Sequence, residues 1–155
     1  MSEHPVVTPE SDPEVRARQA QFACAVVTLS PVTLAMVAWF LSTTGSLPSL
    51  SGSDAEIQGY LLNLVLPLAG MGAAAMAFVI KRILLANVPA GREHVQKRFQ
   101  AALVALALSE APACMGLALV VLTHDFAIPG ILFGTSVGLC LYHFPTMRWL
   151  LGDAG

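Results

Sequence analysis

Long apolar runs alternate with short polar stretches along this chain. Apolar residues dominate 22–41, 60–85, 99–122 and 126–144. A helix needs about 20 apolar residues to cross the hydrocarbon core of a bilayer. The four runs therefore predict four spans and an all-α, integral membrane four-helix bundle. A helix start precedes the first run at Asp12-Pro13-Glu14. Asp12 can cap, Pro13 suits the first helical position, and Glu14 complements the positive helix end. Pro31 and Pro67 fall inside the first and second runs; Pro31 is expected to kink its helix, with neighbours re-satisfying the freed carbonyl. Residues 42–59 are rich in Ser, Gly and Pro and predict a loop. Thr123-His124-Asp125 permits only a tight hairpin, and Pro145 ends the fourth run. Residues 1–12 predict a disordered tail, 13–151 the membrane domain, and 152–155 a short tail.

Charge adds an orientation. The eight Lys and Arg lie in the N-terminal segment (Arg16, Arg18), about the second connector (Lys81, Arg82, Arg92, Lys97, Arg98) and near the C-terminus (Arg148). The other two connectors hold none, so the positive-inside rule places both termini and the basic connector in the cytoplasm. Tyr60 and Trp149 stand where interfacial aromatics are expected. The chain is 55% apolar and 12% charged, against about 25% charged in soluble domains. The expected location is a bacterial inner (cytoplasmic) membrane, with the lipid bilayer as first partner. A net charge of −2 offers no surface for nucleic acid. Cys24, Cys114 and Cys140 are odd in number and form no CxxC pair, so they predict buried small hydrophobes. The polar, acidic, proline-bearing first 20 residues predict no cleaved signal peptide. His124-Asp125 lacks further ligands nearby, and no hydrolase, P-loop or dinucleotide pattern is present. No metal, cofactor or enzymatic activity is expected.

The residue that breaks the apolar pattern is Glu110, near the centre of the third run. An acidic group at the bilayer centre costs about 2.5–3.5 kcal/mol on insertion scales. The cations lie near or beyond the membrane ends, so protonation or a bound ion is the cheaper state. Depth counting places Ser30, Thr135 and Ser136 at the same level. Each is a candidate hydrogen-bond partner for a protonated Glu110. Small residues give the packing expectation. Gly70 and Gly72 permit close approach in the second run, and Gly130, Gly134 and Gly138 form a four-residue stripe in the fourth. That stripe is expected to serve packing within the bundle or an interface between copies.

Around the carboxyl, Glu110-Ala111-Pro112-Ala113-Cys114-Met115-Gly116-Leu117 resembles the carboxyl-bearing helix of rotary ATP synthase proteolipid c-subunits, with its E-A-x4-G-L pattern. The layout of residues 60–122 is similar too: a small-residue helix, a polar connector with Pro89, then the carboxyl helix. The resemblance implies a proton- or sodium-binding role for Glu110, embedded in a chain with two additional spans. Two functions follow. One is a membrane-embedded interaction or assembly protein organised around a buried, protonated Glu110, with a second copy or another membrane protein as partner. The other is a translocator binding H+ or Na+ at Glu110.

Overall fold

A computed structural model of the protein describes residues 12–44, 54–89 and 91–152, and every regular element in them is helical. Residues 1–11 of the expected tail, residues 45–53 of the expected loop at 42–59, the side chain of Tyr60 and the end of the 152–155 tail lie outside what is described. The helices are α1 (Pro13–Thr44), α2 (Asp54–Leu85), α3 (Val95–Ser109), α4 (Ala111–Thr123), α5 (Ala127–His143) and α6 (Met147–Leu151). A 3-10 turn, Arg92–His94, precedes α3.

Three helical stretches are long and apolar enough to cross a membrane: Pro13–Thr44, Leu62–Leu85 and the α3–α4 stretch Arg92–Thr123. The fourth apolar run forms a shorter helix, Ala127–His143, of 17 residues. At about 1.5 Å per residue it is roughly 26 Å long, just under the hydrocarbon thickness. Two helices run further into the first loop than the sequence suggested. The α1 helix continues to Thr44, and Ser42, Thr43 and Thr44 turn their hydroxyls back onto the carbonyls of Trp39 and Phe40 in the preceding turn. The α2 helix starts at Asp54, inside the expected loop.

The start of α1 follows its sequence signal. The Asp12 carboxylate accepts from the Glu14 amide at 2.9 Å, and Pro13 occupies the first turn. Pro31 is buried, yet α1 is continuous across it.

Apolar side chains meet at three levels. Ala17, Ala20, Val95, Leu150 and Leu151 form one cluster, at the N-terminal end of α1. Cys24, Ala102, Leu106 and Cys140 form the next. Ala38, Ala113, Val120 and Phe133 close the opposite end. Small residues dominate the contacts, so the helices approach closely with little side chain between them. The large apolar side chains of α1 point outward instead: Phe22, Leu29, Met36, Trp39 and Phe40 are each at least 60% exposed. An apolar outer surface of this kind fits a lipid surround. The α3–α4 stretch is the most enclosed of the long helices.

The basic residues gather at one end. Glu14 on α1 pairs with Arg92 at 3.4 Å, an exposed contact of small energetic worth. Arg98 matters more, being buried at 7% exposure. Its guanidinium donates to the carbonyls of Pro89 at 2.7 Å, Gly91 at 3.1 Å and Leu150 at 3.2 Å. It thereby ties the connector to α6. Gly152 closes this node, with φ of 77° and no room for a Cβ beside the guanidinium.

Candidate functional site

The site is built on a break in the third apolar stretch. Pro112 supplies no amide hydrogen, and its ring crowds the carbonyl of Leu108. The helical ladder is interrupted just there: α3 ends at Ser109 and α4 resumes at Ala111, with Glu110 between them. The Glu110 amide is shared between the carbonyls of Leu106 at 3.2 Å and Ala107 at 3.3 Å, a locally tightened turn. Its own carbonyl accepts from the Cys114 amide at 3.1 Å, which restarts the regular pattern. With φ −80° and ψ −16°, Glu110 stays right-handed, so the chain continues in the same sense.

Neighbouring helices close on the break. The Ser136 hydroxyl of α5 donates to the Ser109 carbonyl at 2.7 Å, and both residues are buried. The Ser109 hydroxyl donates back to the Ala105 carbonyl at 2.7 Å. From the other side α2 approaches through Gly70. A Cβ there would lie 3.0 Å from the Pro112 Cα, a backbone contact that leaves no room for a side chain.

The carboxyl itself faces α1. Ser30, one residue before Pro31, donates its hydroxyl to Glu110 Oε2 at 3.3 Å. The second oxygen, Oε1, is buried with no hydrogen-bond partner. No cation is paired with this carboxyl among the described residues. Chemically, the group holds one weak polar contact and one vacant lone-pair site, at the level between the second and third apolar clusters. A buried oxygen without a donor suits a protonated carboxyl or a desolvated cation better than a bare carboxylate.

The sequence candidates separate on these distances. Ser30 reaches Glu110, though as donor rather than as the acceptor expected for a protonated carboxyl. Ser136 comes to the break but bonds the Ser109 backbone, because the disrupted ladder leaves that carbonyl accessible. Thr135 does not join them; its hydroxyl folds back onto the Ile131 carbonyl at 2.8 Å in its own helix. Gly70 packs as expected. Gly130 makes only an ordinary contact with Phe126 of its own segment, and a Cβ at Gly72, Gly134 or Gly138 would meet nothing within 4 Å. The glycine stripe of the fourth run therefore faces outward in the monomer rather than into the bundle. The glycine that packs is Gly116 of α4, whose added Cβ would sit 3.3 Å from the Pro129 carbonyl oxygen. Cys24 and Cys140 are buried as expected, but Cys114 is exposed.

Two features escaped sequence reasoning. Arg98 looked like one more orientation signal beside Lys97. Its helical register with Ala102, Ala105 and Ser109, all buried on one face of α3, was the available clue. The second is a polar cluster at the basic end. Lys81 Nζ lies 3.4 Å from His143 Nδ1 and 5.0 Å from the centre of the Trp149 ring. His143 is buried at 1% exposure. No family model, curated protein or solved structure matches this chain.

Proposed function

We propose that this is a four-span membrane protein with both termini and the basic connector in the cytoplasm, acting as an intramembrane interaction or assembly protein organised around Glu110. What supports the orientation is the gathering of Arg16, Arg92, Arg98, Lys81 and Arg148 with their neighbours at one end of the helices, away from the Thr123–Asp125 turn. Counting α5 as the fourth span rests on its apolar composition and on its packing along the enclosed helices. Thiols introduced at Thr44 or Asp125 are expected to label from outside the sealed cell, and at Gln96 only from inside. The reverse pattern overturns the orientation.

The observation that carries the functional reading is the junction itself. One break at Glu110 is met by Ser30 of α1, Gly70 of α2 and Ser136 of α5 within the bundle's interior. A neutral Glu110 holds α1 to the break and fixes how the helices present their outer faces. Those outer faces, which include the Gly134–Gly138 stripe, are what a second copy or another membrane protein would meet.

One observation favours the second reading, H+ or Na+ binding at Glu110 in the manner of the c-subunit-like hairpin. It is the vacancy at Oε1. A proton or a desolvated cation is what such an oxygen lacks. The test is ion flux into liposomes for wild type and Glu110→Gln. The assembly reading expects neither protein to exceed protein-free liposomes. Sodium or proton uptake by wild type that Glu110→Gln abolishes would replace that reading with translocation.

A further inference from the structure

We propose that the recess between the last turns of α2 and α5 binds the phosphate of an anionic membrane lipid. The recess, about 240 Å³, is lined by Phe78, Lys81, Arg82, Leu85, Tyr142 and His143. It lies at the basic end of the bundle and far along the chain from Glu110, so it does not depend on either reading of that carboxyl.

Charge is the first ground. Lys81 and Arg82 both line the recess, and no carboxylate pairs with either among the described residues. The terminal carbonyls of α2 and α5 offset part of this, at about half a charge per helix end. Two cations still leave a surplus.

Donor geometry is the second ground. An ammonium group has donors only, so at the 3.4 Å contact the His143 Nδ1 must accept from Lys81. The neutral ring then carries its hydrogen on Nε2. That atom is buried with no partner. The Lys81 ammonium is held in place over the Trp149 ring, and an ammonium has three hydrogens of which His143 takes one. The wall of the recess thus holds one fixed ammonium with hydrogens unspent, beside the guanidinium of exposed Arg82, while the buried His143 ring anchors the ammonium from behind. An acceptor-rich anion fits these donors, and phosphate is the anion that a membrane supplies at the level of a helix end.

The apolar wall decides between a lipid and free phosphate. Phe78 and Tyr142 pack ring to ring at 5.5 Å, and they are 43% and 71% exposed on the outer surface. Leu85 completes the apolar side of the recess. The cationic part therefore opens onto a surface that acyl chains would cover, with aromatics at the depth where interfacial aromatics sit. A soluble phosphate would use the cations and leave that surface bare.

The experiment uses the full chain in nanodiscs and native mass spectrometry of the released protein. The probes are phosphatidylglycerol and phosphatidylcholine with the same acyl chains, with inorganic phosphate as a separate arm. Wild type is expected to retain one phosphatidylglycerol in preference to phosphatidylcholine, each cation contributing about fivefold to the preference. Lys81→Gln/Arg82→Gln should abolish the preference, and Lys97→Gln, an exposed cation at the same end, should keep it. Should the double variant fail to fold, Arg82→Gln alone reads the same quantity, because its side chain is exposed and a loss of about fivefold is expected. Equal retention of the two lipids by wild type overturns the proposal. So does a Lys97→Gln loss as large as that of the Arg82 variant, which would mean diffuse surface charge. Retention of inorganic phosphate equal to that of phosphatidylglycerol overturns the lipid assignment as well.

Discussion

Arg98 and Glu110 stand 12 positions apart on the same apolar stretch, both ionisable and both drawn into the helix bundle. Arg98 is fully provided for. Three carbonyls from two separate segments converge on its guanidinium, and Gly152 leaves space for it. Glu110 is not: one oxygen has a long 3.3 Å contact with Ser30, and the other has nothing. A satisfied buried charge fixes a structure, whereas an unsatisfied one invites a proton, an ion or a partner. The two residues thus separate architecture from candidate function within a single helical stretch.

The largest effect is expected at Arg98. Arg98→Met removes three charge-assisted hydrogen bonds, each worth about 1.5–3 kcal/mol net. The site lies at an end of the bundle, where water can rehydrate the freed carbonyls, so a loss of about 3 kcal/mol is expected rather than the full sum. Arg98→Lys should lose less, since one or two of the carbonyls keep a donor. Equilibrium unfolding in detergent measures both. A loss below about 1 kcal/mol for Arg98→Met would mean that the node is decorative.

The next effect concerns the backbone at the break. Gly70→Ala places a methyl 3.0 Å from the Pro112 Cα, and overpacking of this kind costs about 1–3 kcal/mol. Gly134→Leu, facing open space, should change stability by no more than about 0.5 kcal/mol. Reversal of that order would show the outward stripe to be buried in the working protein, against a second copy or another chain. An unchanged monomeric mass for wild type in detergent would exclude the second copy.

These contrasts show what the sequence could and could not reveal. The long apolar stretches, the helix start at Asp12-Pro13 and the segregation of the cations were legible because each depends on local pattern. Glu110 was legible for the same reason, as the one acid in an apolar run. Which partners it would meet was not, because helix rotation is set by packing between helices. Ser136 and Thr135 are adjacent in sequence and equal in depth, yet one turns into the bundle and the other folds onto its own helix. Spacing alone likewise made Gly130, Gly134 and Gly138 look like a packing face. The fourth-helix face that packs instead presents Pro129, Leu132 and Phe133 to Gly116. Arg98 was hidden by its company, since an Arg beside a Lys at a helix start looks like a solvated pair.

A smaller effect is expected at Ser30. Ser30→Ala deletes the contact to Glu110 Oε2, and intramembrane hydrogen bonds of this type average about 0.6 kcal/mol. The 3.3 Å length places it at or below that average. A loss of about 2 kcal/mol or more would make Glu110 as firmly held as Arg98, and the comparison between them would collapse.

The smallest effect is expected at Glu110 itself, and its sign is the most informative. A protonated carboxyl and a carboxamide have nearly the same shape and are both neutral. Glu110→Gln keeps an oxygen for Ser30 and leaves the second terminal atom without a partner, as Oε1 already is. Stability should therefore move by less than about 0.5 kcal/mol. An ionised Glu110 predicts something different. A charge at this depth costs about 2.5–3.5 kcal/mol, so removing it would stabilise the bundle by a sizeable part of that amount. A bound sodium ion predicts the opposite sign, with wild type more stable than Glu110→Gln only when sodium is present. Unfolding of both proteins in sodium and in choline buffers separates the three cases. The same amide at Arg98 removes most of its donors and should cost far more. Two amide substitutions on one helical stretch thus measure directly how differently the bundle treats these two ionisable groups.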